Sequence, residues 1–193
     1  MKDDKPRLPP GQILTEKFPV LHYGEVPEFD STNWDFRIFG LVEQEVALDF
    51  DEFSQLPSQR IEADFHCVTT WSRYDNLWEG VLARTLAALA RPLPGARHVL
   101  IHCEQGYTTN LSLEDFLRDN VLFALKWGGK KLTPEHGYPL RLVVPHLYAW
   151  KSAKWARGVE FMEDNRRGFW ESRGYHNNGD PWREERFSSQ EQD

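Results

Sequence analysis

The sequence predicts a mixed α+β domain in which many short strands are accompanied by a few short helices at the periphery. Three observations carry that prediction. Apolar residues alternate over short stretches bounded by Pro, Gly, Asn and Asp, as strands do. The clearest helical run, residues 81–90, is short and rich in Ala and Leu. There is no internal repeat, and no helix–strand alternation long enough for a doubly wound sheet.

The elements follow in order. Residues 1–17 are polar and rich in Pro and Gly, and read as an extended arm. Residues 18–27 form a loop dense in turn residues, too aromatic for an idle tail and expected to lie on the body. Residues 35–42 alternate as a strand with a bend at Gly40. Asp49 caps a short helix over 50–55, and Pro57 stops it. Residues 60–67 form the next strand, and a loop is expected from there through Gly80. The helix at 81–90 is closed by Arg91-Pro92. Strands follow at 98–103 and 107–111. Ser112 and Asp115 then open a short helix ending near Asp119. A strand at 121–127 leads into a hairpin turn at 128–131. Residues 140–144 make a short apolar strand ended by Pro145, and 159–162 another. The body is expected to run from 18 to 187, with 188–193 a disordered tail.

Composition excludes several functions. With a formal net charge of −7 the chain lacks the basic footprint of a nucleic-acid binder. No apolar run approaches a membrane span, and the N-terminal charges are not followed by the apolar core of an export signal. Two cysteines, Cys67 and Cys103, are too few for a disulfide scaffold. These features predict a cytoplasmic protein. Eight Trp, twelve Phe and six Tyr are enough for a substantial core and for pocket walls as well. Trp71, Trp78, Trp150 and Trp155 are assigned to one or the other.

Two places carry chemical promise. From His136 to Val159 there is no carboxylate, while Arg141, Lys151, Lys154 and Arg157 all fall in the span. A cationic island in an acidic chain suits a bound anion. Lys151-Ser152-Ala153-Lys154 sets backbone N–H groups beside ammonium groups, a common way to hold phosphate. The second place is Cys67, at a strand end between His66 and Arg73, where a thiolate could serve as nucleophile or metal ligand. Burial as an inert small side chain is the competing reading. Zinc held by His66, Cys67, His98, His102 and Cys103 fits no compact spacing. A thiol hydrolase using Cys67 remains open, but nothing in the sequence selects its partner. A dinucleotide loop and a P-loop are absent from the sequence.

The ordered series His66-Cys67-Val-Thr-Thr-Trp-Ser, Gly106-Tyr107-Thr-Thr, His136-Gly-Tyr-Pro-Leu-Arg141-Leu-Val-Val-Pro145 and Lys151-Ser-Ala-Lys-Trp155 resembles the molybdopterin domain of the sulfite oxidase family. The likeness spans roughly residues 18–176, and the ordered series is more specific than any single motif. It implies the sulfite oxidase-type α+β fold and one molybdenum–molybdopterin held through a single cysteine, Cys67. It places His22, His66, His102, His136 and Arg141 against the cofactor, with Glu104 a rival to His102. Lys151, Ser152, Ala153 and Lys154 would cradle the phosphate. Tyr175 and Arg73 would act beside Cys67 on the substrate. The resemblance implies oxygen-atom transfer on a small substrate, either a sulfite-like oxyanion or an S- or N-oxide, with a separate electron-transfer protein. A non-catalytic molybdopterin-binding module is the alternative. The sequence also departs from the family. The arginine-rich run after the cysteine in animal and plant sulfite oxidases is missing here. So are their dimerisation domain, which predicts a monomer, and any haem-attachment motif.

Overall fold

Alternation along the strands sorts the chain into two sheets that share one interior. The computed structural model describes residues 6–191. The first five residues of the expected arm, where an export signal was judged absent, and the last two of the expected tail lie outside the described residues. In chain order the strands are β1 (Ile13–Leu14), β2 (Asp35–Gly40), β3 (Val46–Asp49), β4 (Ser58–His66), β5 (Trp71–Leu82) and β6 (His98–Cys103). They continue with β7 (Thr108–Ser112), β8 (Leu122–Trp127), β9 (Lys130–Lys131), β10 (Arg141–Val143) and β11 (Ala156–Met162). The helices are α1 (Phe50–Ser54), α2 (Ala83–Ala90) and α3 (Leu113–Phe116).

One sheet runs β3-β2-β11-β6-β7; the other runs β1-β5-β8-β10, with β4 paired to β5 and β9 to β8. Pairings are antiparallel except β2 with β11 and β1 with β5. Phe36 and Ile38 from β2, Ile101 from β6 and Phe161 from β11 point into the main core. There they meet Phe53 of α1, Leu86 of α2 and Phe116 of α3, all of them buried. Each such side chain contributes roughly 1.5–3 kcal/mol through lost contact with water. A second cluster, with Phe65, Trp78, Leu122 and Val143, lies under the other sheet and carries the site described below.

The short helices start where their caps place them. Asp49 accepts from the Glu52 backbone N–H at 2.8 Å, and Glu52 accepts from the Asp49 N–H at 2.9 Å, a complete capping box. Ser112 Oγ likewise accepts from Asp115 N at 3.0 Å, although α3 ends at Phe116, short of Asp119.

One expectation is corrected. The loop expected through Gly80 is instead the twelve-residue strand β5, a long hairpin partner of β4. Its inward positions include Ser72, Asn76 and Gly80 beside Trp78, so polar and small residues hide the alternation. They are tolerated inside because they are bonded: Ser72 Oγ donates to Gln12 at 3.2 Å, and Asn76 donates to the Arg73 carbonyl at 2.8 Å. Residues 188–190 form a 3-10 turn, in which Gln190 accepts from the Arg186 and Phe187 N–H groups. Residues 13–15 dock at the start of β5: Ile13 N donates to Thr70 O at 2.8 Å, and Thr15 N to Ser72 O at 2.9 Å.

Candidate active site

Cys67 leaves β4 and enters a tight turn. Its N–H donates to Trp71 O at 2.8 Å, and its carbonyl accepts from Thr70 N at 3.0 Å. Closing the turn puts Thr70 at φ +73°, a left-handed conformation that a β-branched residue adopts only under constraint. Cys67 Sγ lies 3.1 Å from Thr69 Oγ1. Arg186, from the far end of the chain, donates to the carbonyl of Val68. Burial pushes the thiol up, while the Thr69 hydrogen bonds and the nearby charges of Arg186 and Lys154 work the other way.

The facing wall is built by β10 and the turn after Trp150. Leu142 N donates to Ala153 O at 2.8 Å, and Val144 N to Ser152 Oγ at 2.9 Å. Arg141 and Lys154 pair as an isolated bridge, so two cations sit side by side. Only glycine fits at Gly137, at φ +108°, because a Cβ there would lie 3.0 Å from the Arg141 side chain and 3.2 Å from that of Lys154. Arg141 is buried; it donates to His136 O and Ser152 O, each at 3.0 Å, and stands over the rings of Phe65, Trp78 and Phe18. Its Nε finds no partner among the described residues. Lys154 donates to Leu21 O at 2.8 Å and Glu135 O at 2.5 Å. Burial first, and Arg141 second, push its pKa down to about 7. Burial also lowers His136, against the bond that its Nε2 makes with Phe18 O at 3.2 Å.

Between these walls lies a cavity of about 310 Å³. Tyr175 closes one side, stacked on Trp170 at 5.1 Å and edge-on to Trp150 at 5.0 Å. Burial keeps its hydroxyl protonated, and the neighbouring Cys67 adds to that. The cavity gathers eight of the residues singled out in the sequence: His22, Cys67, His136, Arg141, Ser152, Ala153, Lys154 and Tyr175.

Four others lie elsewhere. His66 precedes Cys67 on the strand and therefore faces the opposite way; its Nδ1 pairs with Ser72 Oγ at 2.8 Å, under Trp182. Arg73 donates to Glu16 O at 3.1 Å and to Asn76, and lies over Trp127. His102 points out of β6 toward Glu160 at 2.8 Å, while Ile101 and Cys103 beside it face the core. Its rival Glu104 does line the cavity, held by Arg157. Lys151 is fully buried, turned away into a nest of oxygens from Asn110, Glu171 and Asn177. An Arg73→Gln protein is accordingly expected to keep its wild-type content of any bound metal, checked by elemental analysis.

Reading the sequence missed Tyr107, Gln105, Thr69 and Trp170 as lining residues. Thr69 was the most accessible of these, being two positions from the cysteine. Among the described residues no three His, Cys, Asp or Glu side chains gather into a metal-binding cluster, and the histidines and cysteines considered for zinc do not converge.

Residues 23–170 match the family model described as an oxidoreductase molybdopterin-binding domain. The uncharacterized oxidoreductase YuiH of Bacillus subtilis is 49% identical over 187 residues, which is 96% of this chain and 94% of that protein. The protein-methionine-sulfoxide reductase catalytic subunit MsrP of Campylobacter jejuni is 29% identical over 75% of this chain and 54% of its own length. The sulfane dehydrogenase SoxCD of Paracoccus pantotrophus superposes with a TM-score of 0.68 at 22% identity. That match covers 74% of this chain and 41% of the dehydrogenase chain, and it shows the shared sulfite oxidase-type fold. A molybdopterin cofactor accounts for a lone buried thiol and two adjacent cations in one cavity, and the match over residues 23–170 assigns the chain to the family of oxidoreductase molybdopterin-binding domains.

Proposed function

We propose that this domain transfers an oxygen atom to or from a small neutral S- or N-oxide, or its reduced counterpart, and exchanges electrons with a separate carrier protein. The observation that carries this reading is that the Cys67 thiol and the Arg141–Lys154 pair open into a single cavity. The residues present fit a molybdenum–molybdopterin. Arg141 keeps a buried Nε without a partner among the described residues. Among the described residues two carbonyls accept from Lys154 Nζ, which leaves its third donor for an anion. A soft thiolate suits the metal, and a dianionic phosphate suits adjacent cations.

When bound, the cofactor supplies the two-electron oxygen-atom transfer itself. This chain binds, orients and shields. Cys67 would hold the metal as a thiolate, the metal's charge offsetting the cost of burying it. Arg141, Lys154 and the backbone at Ser152–Ala153 would hold the phosphate. The Tyr175 hydroxyl, kept protonated, donates a hydrogen bond toward the substrate oxygen, and Trp150 and Trp170 fix its ring and exclude water.

Two features favour a neutral substrate over an oxyanion. Among the described residues, Arg141 and Lys154 are the Arg and Lys side chains of the cavity, and the cofactor phosphate claims both. Arg73 and Arg186 are committed to other partners. The thiol-hydrolase reading is disfavoured because the polar neighbour of Sγ is Thr69 and burial opposes the thiolate. The names of the sulfoxide reductase and the sulfane dehydrogenase are compatible with sulfur chemistry. A cytoplasmic, monomeric protein completes the proposal.

The test is turnover of protein produced in a molybdopterin-competent host. Methionine sulfoxide is offered with a reduced dye, and sulfite with an oxidised one. Faster turnover of sulfite than of the sulfoxide refutes the preference for neutral substrates. Tyr175→Phe is expected to retain full molybdenum while slowing turnover about 100- to 1,000-fold, the range of a single lost hydrogen-bond donor to the reacting oxygen.

A further inference from the structure

Residues 18–25 run along the cavity between β1 and β2 without regular secondary structure, and Phe18, Leu21, His22 and Tyr23 line it. Among the described residues no backbone–backbone hydrogen bond ties this segment to the body. Val20, Leu21 and Tyr23 are 45%, 51% and 59% exposed. Three side chains from the cavity wall hold its carbonyls instead. His136 Nε2 meets Phe18 O at 3.2 Å, Lys154 Nζ donates to Leu21 O at 2.8 Å, and Gln105 Nε2 donates to Glu25 O at 2.9 Å. The Phe18 ring is the firm end of the segment, set among Phe65, Trp78 and Trp127. Beyond it Tyr23 packs on Phe169 and Trp170 and His22 on Trp155, while the backbone is held through side chains that line the cavity.

Lys154 stands at the junction. It touches the segment through Leu21 O, the 134–136 turn through Glu135 O, and the cavity through its remaining proton. A charged donor makes the stronger hydrogen bond. Without an anion, burial beside Arg141 disfavours the ammonium form. An anion in the cavity favours that form and so tightens the bond to Leu21 O. By linkage, a segment held closed must in turn raise the affinity for the anion.

We propose that Phe18–Glu25 is a retaining strap over the cofactor cavity, and that Lys154 couples its closure to the cofactor's anionic end. This rests on the cofactor assignment above and adds to it a mechanism of retention. The strap is loose while the site is empty and closes on loading, so release of cofactor requires the strap to open.

Hydrogen exchange of residues 18–25 tests the proposal. It is measured on cofactor-free protein, on the same protein with inorganic phosphate, and on loaded protein whose molybdenum and pterin contents are determined separately. Loading is expected to slow exchange about tenfold, phosphate alone by less, with other loops unchanged, since a coupling of this kind is commonly worth a factor of about 5–150. In loaded Lys154→Met that protection is expected to be lost. If Lys154→Met takes up no cofactor, Gln105→Ala decides: loosening the far anchor is expected to release pterin several-fold faster by fluorescence. Equal exchange in empty and fully loaded protein overturns the strap, and so does an unchanged release rate in Gln105→Ala. A protein that acquires no pterin from a competent host overturns the cofactor assignment, and the strap falls with it.

Discussion

Cys67→Ser is expected to leave a folded protein that retains less than about a tenth of the wild-type molybdenum, since losing the thiolate removes the ligand the protein supplies to the metal. The change is nearly isosteric, and the turn around it is held by backbone bonds from Cys67 N to Trp71 O and from Thr70 N to Cys67 O. Circular dichroism and melting temperature should therefore match the wild type, while elemental analysis shows the loss. Turnover with any dye partner should fall to background. Full metal content in the serine protein would remove Cys67 from the metal and leave the cavity without its reactive end.

Lys151→Met is expected to be the most destabilising single change near the site. The ammonium is surrounded by Asn110 O and Oδ1, Asn177 O and Glu171 Oε1, at 2.7–2.9 Å, and none of it is exposed. Removing one member of a buried ion pair costs about 3–5 kcal/mol, because the partner charge is left without compensation. In a domain of this size that is on the order of 10 °C in melting temperature, read by calorimetry. Glu171 also accepts from Thr109 and Trp150, so one deletion disturbs three segments. The double change Lys151→Met with Glu171→Leu should recover part of the loss, since no charge is then stranded. A single variant that melts within about 2 °C of wild type would show that the pair is not what fixes this turn.

These two residues show what the sequence could and could not convey. Cys67 and Lys154 were legible because their surroundings are unusual in composition: a thiol in an acid-free loop, and lysines in an acid-free span. Lys151 sits in the same span and carries the same charge, but the 3-10 turn at Ala149–Lys151 sends it into the body while Lys154 faces the cavity. Its carboxylate, Glu171, lies twenty positions on, and no local pattern announces that pairing. Arg73 and His66 lie apart from the cavity for a related reason. Proximity in sequence to Cys67 implied proximity in space, but strand alternation turns His66 away, and β5 takes Arg73 out toward Asn76 and Glu16. The strands and caps were legible where an apolar run or a cap residue was plain, as in β6 and α1. They were hidden in β5, where bonded polar side chains occupy inward positions. Tyr175 was placed by analogy, and its stacking on Trp170 gives that placement a physical basis.

The support of the Cys67 turn comes from both directions along the chain. Ile13 and Thr15 donate to Thr70 and Ser72, and Arg186 holds Val68 from 118 positions later. Trp182 reaches back to donate to Pro6 O at 2.7 Å, so the two flanks also brace each other. Contacts this distant in sequence form late, after the loop between them has closed. On a ribosome, the thiol therefore emerges well before the arginine that steadies its turn. The turn that carries Cys67 is thus complete only once the chain has been made as far as Arg186.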